Sequence, residues 1–125
     1  MSLDSSGDPA SIVVPAPSAW RRRIQPAVIS FDRRELSLIL GVYGRMLTGG
    51  VARDYAIDHL ADRAVFSIFR RTSETPLYRI EKRPKDAVRQ GAWSVVSPGG
   101  GILKRGRDLA LVLRLFDRKL IRAID

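Results

Sequence analysis

Apolar side chains recur at helical spacing after residue 31. Leu36, Ile39, Leu40, Tyr43 and Leu47 fall on one stripe of a helix. Asp32 stands where an N-cap belongs, and Glu35 three positions later completes a capping-box spacing. Val28, Ile29 and Phe31 ahead of the cap read as an extended lead-in or staple, and Gly49-Gly50 ends the helix. Ser37, Gly41, Gly44 and Thr48 form a second stripe of small residues. Two interior glycines cost a helix roughly 1 kcal/mol each, so the stripe predicts a close backbone approach. Leu38, Val42 and Met46 lie on the far flank, so cover on two sides is expected, from the sheet and second helix or from another subunit.

From about residue 53 to 97 the period changes to two. Residues 54–60 read as a strand with Tyr55, Ile57 and His59 on one face, followed by a short turn at Ala61-Asp62. Residues 63–71, with Val65, Phe66, Ile68 and Phe69, read as a second strand. After a turn at 72–76, Tyr78 and Ile80 alternate with Arg79, Glu81 and Arg83 in a strand at 77–83. A polar, basic loop at 84–91 leads to a strand at 92–97, and Pro98-Gly99-Gly100-Gly101 turns into a short return strand at 102–104. A last helix is expected from about 107 to 124, with Leu109, Val112, Leu113, Phe116, Leu120 and Ile124 as its buried stripe.

Consecutive strands joined by tight turns form antiparallel sheets. The expected architecture is therefore α+β: an antiparallel sheet of three to five strands, with an N-terminal and a C-terminal helix on one face and the other face partly open. Residues 1–27 carry four of the prolines and little apolar pattern, and read as a disordered tail before a single domain at 28–125. Trp20-Arg21-Arg22-Arg23 interrupts that tail; it touches RNA or an anionic surface, or else folds back onto the domain.

Composition narrows the function. The 125 residues contain no cysteine, which excludes disulfides and thiolate chemistry and suits a reducing cytoplasm. No apolar run reaches the 18 residues of a membrane span, and the N-terminus does not read as a secretory signal. The net charge is +9, and +8 of it lies after residue 27. Eighteen of the 22 bases are arginine, whose planar fork suits phosphate. A polyanion partner, RNA or DNA, accounts for that excess; codon bias in a GC-rich genome raises arginine equally well.

Catalytic groups are sparse. His59 is the only histidine, which is too few for a histidine-rich zinc site, and no cofactor or metal is expected. No nucleophile elbow or phosphate-loop motif is present. Asp54, Asp58 and Asp62 read as salt-bridge partners of Arg53 and Arg63. Two basic clusters remain. Lys104, Arg105 and Arg107 open the last helix, where bases are mildly unfavourable and a bound anion compensates. Arg79, Lys82, Arg83, Lys85 and Arg89 form the second, near Tyr78 and Trp93, which either stack on bases or serve the core.

The segments Phe31-Asp32-Arg33-Arg34-Glu35-Leu36, Asp54-Tyr55-Ala56-Ile57-Asp58-His59-Leu60, Phe69-Arg70-Arg71, Pro76-Leu77-Tyr78-Arg79-Ile80-Glu81-Lys82 and Ile102-Leu103-Lys104-Arg105-Gly106 resemble an uncharacterised family of small alphaproteobacterial proteins, domain of unknown function 2794. The resemblance covers roughly 28–123 and implies a bacterial cytoplasmic setting, with no activity or site residue to transfer. In topology alone, helix, strands and helix with bases opening the last helix is similar to the double-stranded-RNA-binding domain. The chain lacks that domain's Gly-Pro-x-His loop and its Lys-Lys-x-Ala-Lys run, and has an extra strand. The expected function is a non-enzymatic nucleic-acid-binding module, associated with RNA or the ribosome through phosphate contacts. The alternative is a protein-interaction adaptor that forms a homodimer or binds an acidic partner.

Overall fold

A computed structural model describes residues 27–71 and 75–124, with side chains as far as 118. The tail at 1–26, Trp20-Arg23 included, and the Leu120 and Ile124 side chains lie outside the described residues. Helix α1 spans Arg33–Thr48. Its capping box is complete: Glu35 N donates to Asp32 Oδ1 at 2.8 Å and Asp32 N to Glu35 Oε1 at 2.9 Å. At the other end Gly49 N–H returns to the Arg45 carbonyl, and Gly50 follows at φ 76°.

Five strands follow: β1 Asp54–His59, β2 Ala64–Phe69, β3 Tyr78–Lys82, β4 Trp93–Val96 and β5 Ile102–Gly106. They form one sheet in the order β1-β2-β3-β4-β5, every pair antiparallel. The fold is the expected α+β arrangement, at the upper end of the expected strand count. The return strand is longer than its apolar part because Lys104, Arg105 and Gly106 continue the ladder against β4. Helix α2, Leu109–Ile124, starts two residues later than expected: Asp108 Oδ1 accepts from Ala110 N at 2.9 Å and Leu111 N at 3.4 Å.

Both helices share one sheet face. Ile39, Val42, Tyr43 and Met46 of α1 and Leu109, Val112, Leu113 and Phe116 of α2 pack with Phe66, Ile68, Ile80, Trp93 and Val95. The buried stripe of α1 differs from the expected one. Val42 and Met46 are inside, whereas Leu40 and Leu47 are 37% and 48% exposed. The helix is rolled because α2 lies beside it, with Arg45 of α1 paired to Asp117 of α2 at 3.2 Å. Cover thus comes from the sheet and from α2. The small-residue stripe does not receive the expected close neighbour, since nothing lies within 4 Å of a Cβ added at Gly41 or Gly44.

Period-two alternation and the register divide the sheet. Tyr55, Ile57, Phe66, Ile68, Ile80, Lys82, Trp93, Val95 and Lys104 stand on the helix-bearing face. The opposite face carries the rungs Asp58, Val65, Glu81, Ser94, Arg105 and Ala56, Ser67, Arg79, Val96, Ile102. Neither helix packs on this second face.

Candidate anion-binding site

The sheet face opposite α1 and α2 curls into a concavity of about 350 Å³. Four arginines line it: Arg63 just before β2, Arg79 on β3, Arg83 just past β3, and Arg105 on β5. Ser94 and Glu81 sit at its floor, both buried. The alternation of β3 explains two of the arginines, because Arg79, Glu81 and Arg83 are spaced two apart. Arg63 has the same parity as Val65 and Ser67 on β2. It was readable from that parity, yet cross-strand proximity to Arg83 and Arg105 was not.

Glu81 organises the positive charge. Its side chain is 9% exposed and lies between Arg79 Nε at 3.9 Å and Arg83 Nε at 3.3 Å. Arg83 also reaches Asp62 at 3.4 Å. Asp62 was expected to pair with Arg63; it pairs with Arg83 because the turn after β1 carries it over the end of β3. Arg105 donates to Gln90 Oε1 at 2.7 Å, which aims its guanidinium toward the loop that borders the concavity. Arg63 has no ion pair among the described residues. Its Nε–H is buried and donates to nothing. A buried donor left unmade costs about 1–3 kcal/mol, more for a charged group.

The sequence-predicted basic residues go to different places. Arg79, Arg83 and Arg105 meet in the concavity with Arg63. Lys82 points to the helix-bearing face, where it donates to Ser30 O at 2.9 Å and Glu35 Oε1 at 2.6 Å and lies 5.8 Å from the Trp93 ring centroid. Lys104 is exposed on that same face, opposite Val95. Arg107 donates to the carbonyls of Ala87 at 3.2 Å and Val88 at 2.6 Å, and so ties down the 84–91 loop. Lys85 and Arg89 are exposed on this loop, which brings Asp86 and Gly91 to the concavity wall. At the α2 N-terminus, where an outside anion was expected, the Asp108 carboxylate accepts from Ala110 N and Leu111 N. Tyr78 and Trp93 serve the core: Tyr78 packs edge-on to Phe116 at 5.0 Å and Trp93 stacks on Phe31 at 6.1 Å.

His59 is exposed on edge strand β1, with its ring edge-on to Phe31 at 6.3 Å, and does not line the concavity. Among the described residues no group of three or more His, Cys, Asp or Glu is placed to hold a metal ion. No described helix is long and apolar enough to cross a membrane.

The model of the family described as Protein of unknown function (DUF2794) matches residues 29–113. The chain belongs to the DUF2794 family. The match runs from the segment just before α1 into α2 and takes in all five strands, so every arginine of the concavity lies inside the DUF2794 region. No curated protein and no solved structure matches the chain.

Proposed function

We propose that this DUF2794 protein is a non-enzymatic nucleic-acid-binding module of the cytoplasm, associated with RNA or the ribosome, that grips the phosphate backbone at the concavity of the sheet face opposite α1 and α2. One observation carries the reading: four arginines from separate parts of the sheet surround one concavity, and among the described residues of its lining only Glu81 and Asp86 oppose them. Guanidinium groups lining one concavity repel one another, and a bound polyanion relieves that repulsion while releasing its own counterions. Lys85 and Arg89 extend the positive surface along the bordering loop. Lys82 and Arg107 act from behind, as anchors of the scaffold.

A second reading, a homodimeric adaptor, is favoured by the exposed apolar flank formed by Leu40, Leu47, Tyr55 and Ile57 and by glycines in α1 that nothing else uses. Fluorescence anisotropy against single-stranded RNA, duplex RNA and duplex DNA, from about 50 to 300 mM salt, separates the two. The module binds with a steep salt slope, and Arg79→Glu with Arg105→Glu lowers affinity at least tenfold while Lys104→Glu changes it little. No binding to any of the three at low salt sinks the nucleic-acid reading, and a dimer by light scattering then supports the adaptor.

A further inference from the structure

The four arginines are not equivalent. Arg79 and Arg83 share the Glu81 carboxylate, Arg83 has Asp62 as well, and Arg105 is held by Gln90. Among the described residues Arg63 alone of the four has no such partner, and its Nε–H is buried without an acceptor. The β2–β3 ladder ends with Ala64 opposite Lys82, and Arg63 and Arg83 are the next residue on each side of that end. Both line the concavity. The fold thus keeps two cations at the wall of one concavity, with the Nε–H of Arg63 unsatisfied.

We infer that Arg63, Arg83 and Arg105 form a discrete seat for one phosphodiester of a nucleic-acid strand, read without regard to its bases. The inference rests on the proposed function and sharpens it. An oxyanion between Arg63 and Arg83 presents acceptors to the unpaired side of Arg63, and a small turn of that side chain directs Nε–H and a terminal N–H to it as a fork. Size sets the class of ligand. About 350 Å³ is at the small end of ligand pockets; it admits a phosphate with its flanking sugar and not the width of a duplex. Charge sets the ionic form. Four guanidinium groups against the Glu81 and Asp86 carboxylates leave a modest positive excess, and the Glu81 carboxylate on the floor repels further negative charge. A singly charged diester is therefore preferred to a doubly charged terminal phosphate. Among the described residues the lining contains no aromatic ring, so these residues offer no platform for base stacking.

The Arg63 Nε–H gives the test a direct reporter. In nitrogen-15-labelled protein its resonance is followed during titration with dimethyl phosphate, and separately with inorganic phosphate. The seat moves and saturates this signal with dimethyl phosphate at lower concentration than with inorganic phosphate near pH 7.5. In anisotropy, Arg63→Gln weakens single-stranded RNA about tenfold and lowers the magnitude of the salt slope by about 0.7, the value for one lost phosphate contact. Arg63→Lys keeps the slope and loses part of the affinity, which separates loss of the fork from loss of charge. An abasic oligomer of the same length binds within about threefold of its parent. If RNA binds yet the Arg63 signal is unmoved, or Arg63→Gln binds as wild type does, the seat is wrong and the function stands. If dimethyl phosphate moves the signal in a protein that binds no oligonucleotide, the seat stands and the nucleic-acid function falls. Tighter binding of inorganic phosphate overturns the preference for a diester.

Discussion

Lys82 is the residue on which a sequence-based and a structure-based account of this protein separate most cleanly. In the sequence it belongs to a basic cluster beside Arg83. In the fold it is an anchor between β3 and the start of α1, where its ammonium donates to Ser30 O at 2.9 Å and Glu35 Oε1 at 2.6 Å. The Lys82 and Glu35 side chains are 19% and 16% exposed. An exposed ion pair contributes about 0–1 kcal/mol, and removing one member of a buried pair costs about 3–5 kcal/mol. A pair with under a fifth of its surface in water falls between, so Lys82→Ala is expected to cost about 2 kcal/mol. The lost aliphatic stem against Trp93 adds to this. For a domain of this size that corresponds to a fall in Tm of roughly 10 °C. Urea unfolding followed by circular dichroism measures the first quantity, and anisotropy with single-stranded RNA measures what should stay within about twofold of wild type. A variant that keeps its stability to within about 0.5 kcal/mol but loses affinity tenfold places Lys82 at the interface and refutes the division of the basic residues proposed above.

Gly91 has φ 94°, and a Cβ there would run into the backbone of Gly106 and Arg107; Gly91→Ala is expected to destabilise by about 3 kcal/mol, the sum of a left-handed strain and a clash that only backbone movement relieves, read as a lower urea midpoint at unchanged m-value. The Tyr43 phenol is raised above its ordinary 10.0, first by burial and then by Asp54 and Tyr55. The unfolded chain therefore ionises this group at lower pH than the folded protein. The stability it confers is complete below pH 10 and is lost as pH rises toward the folded value, so Tyr43→Phe flattens the decline in unfolding free energy between about pH 9.5 and 11, and an unchanged decline removes Tyr43 as its source.

Much of the architecture was present in local pattern. The capping box at Asp32 and Glu35, the paired glycines after α1, and the alternation of Tyr78 and Ile80 with Arg79, Glu81 and Arg83 each act over a few residues. Backbone hydrogen bonding and side-chain parity then leave little choice of element. Tight turns at Ala61-Asp62 and Pro98-Gly101 made antiparallel neighbours the expectation, but the order of the strands was not legible in the sequence and comes from the structure. Where the reading of α1 departed from the structure, the cause was not local: the sheet and α2 together decide which stripe is buried, and α2 is some sixty residues away in the chain.

The composition of the candidate site was decided at that same range. Neighbours in the sequence point to opposite faces of a strand, so Lys82 and Arg83, or Lys104 and Arg105, are parted by the fold although they share a cluster in the chain. Arg63 joins Arg83 and Arg105 only because three ladders bring their strands side by side. The sequence by itself determined the elements, their order and the excess of arginine. The tertiary structure decided which arginines share a concavity, and that Lys82 is consumed by Glu35 and Arg107 by the carbonyls of Ala87 and Val88. The physical reason is that alternation along a strand is a local property, whereas the neighbour across a ladder is set by register and by the packing that holds it.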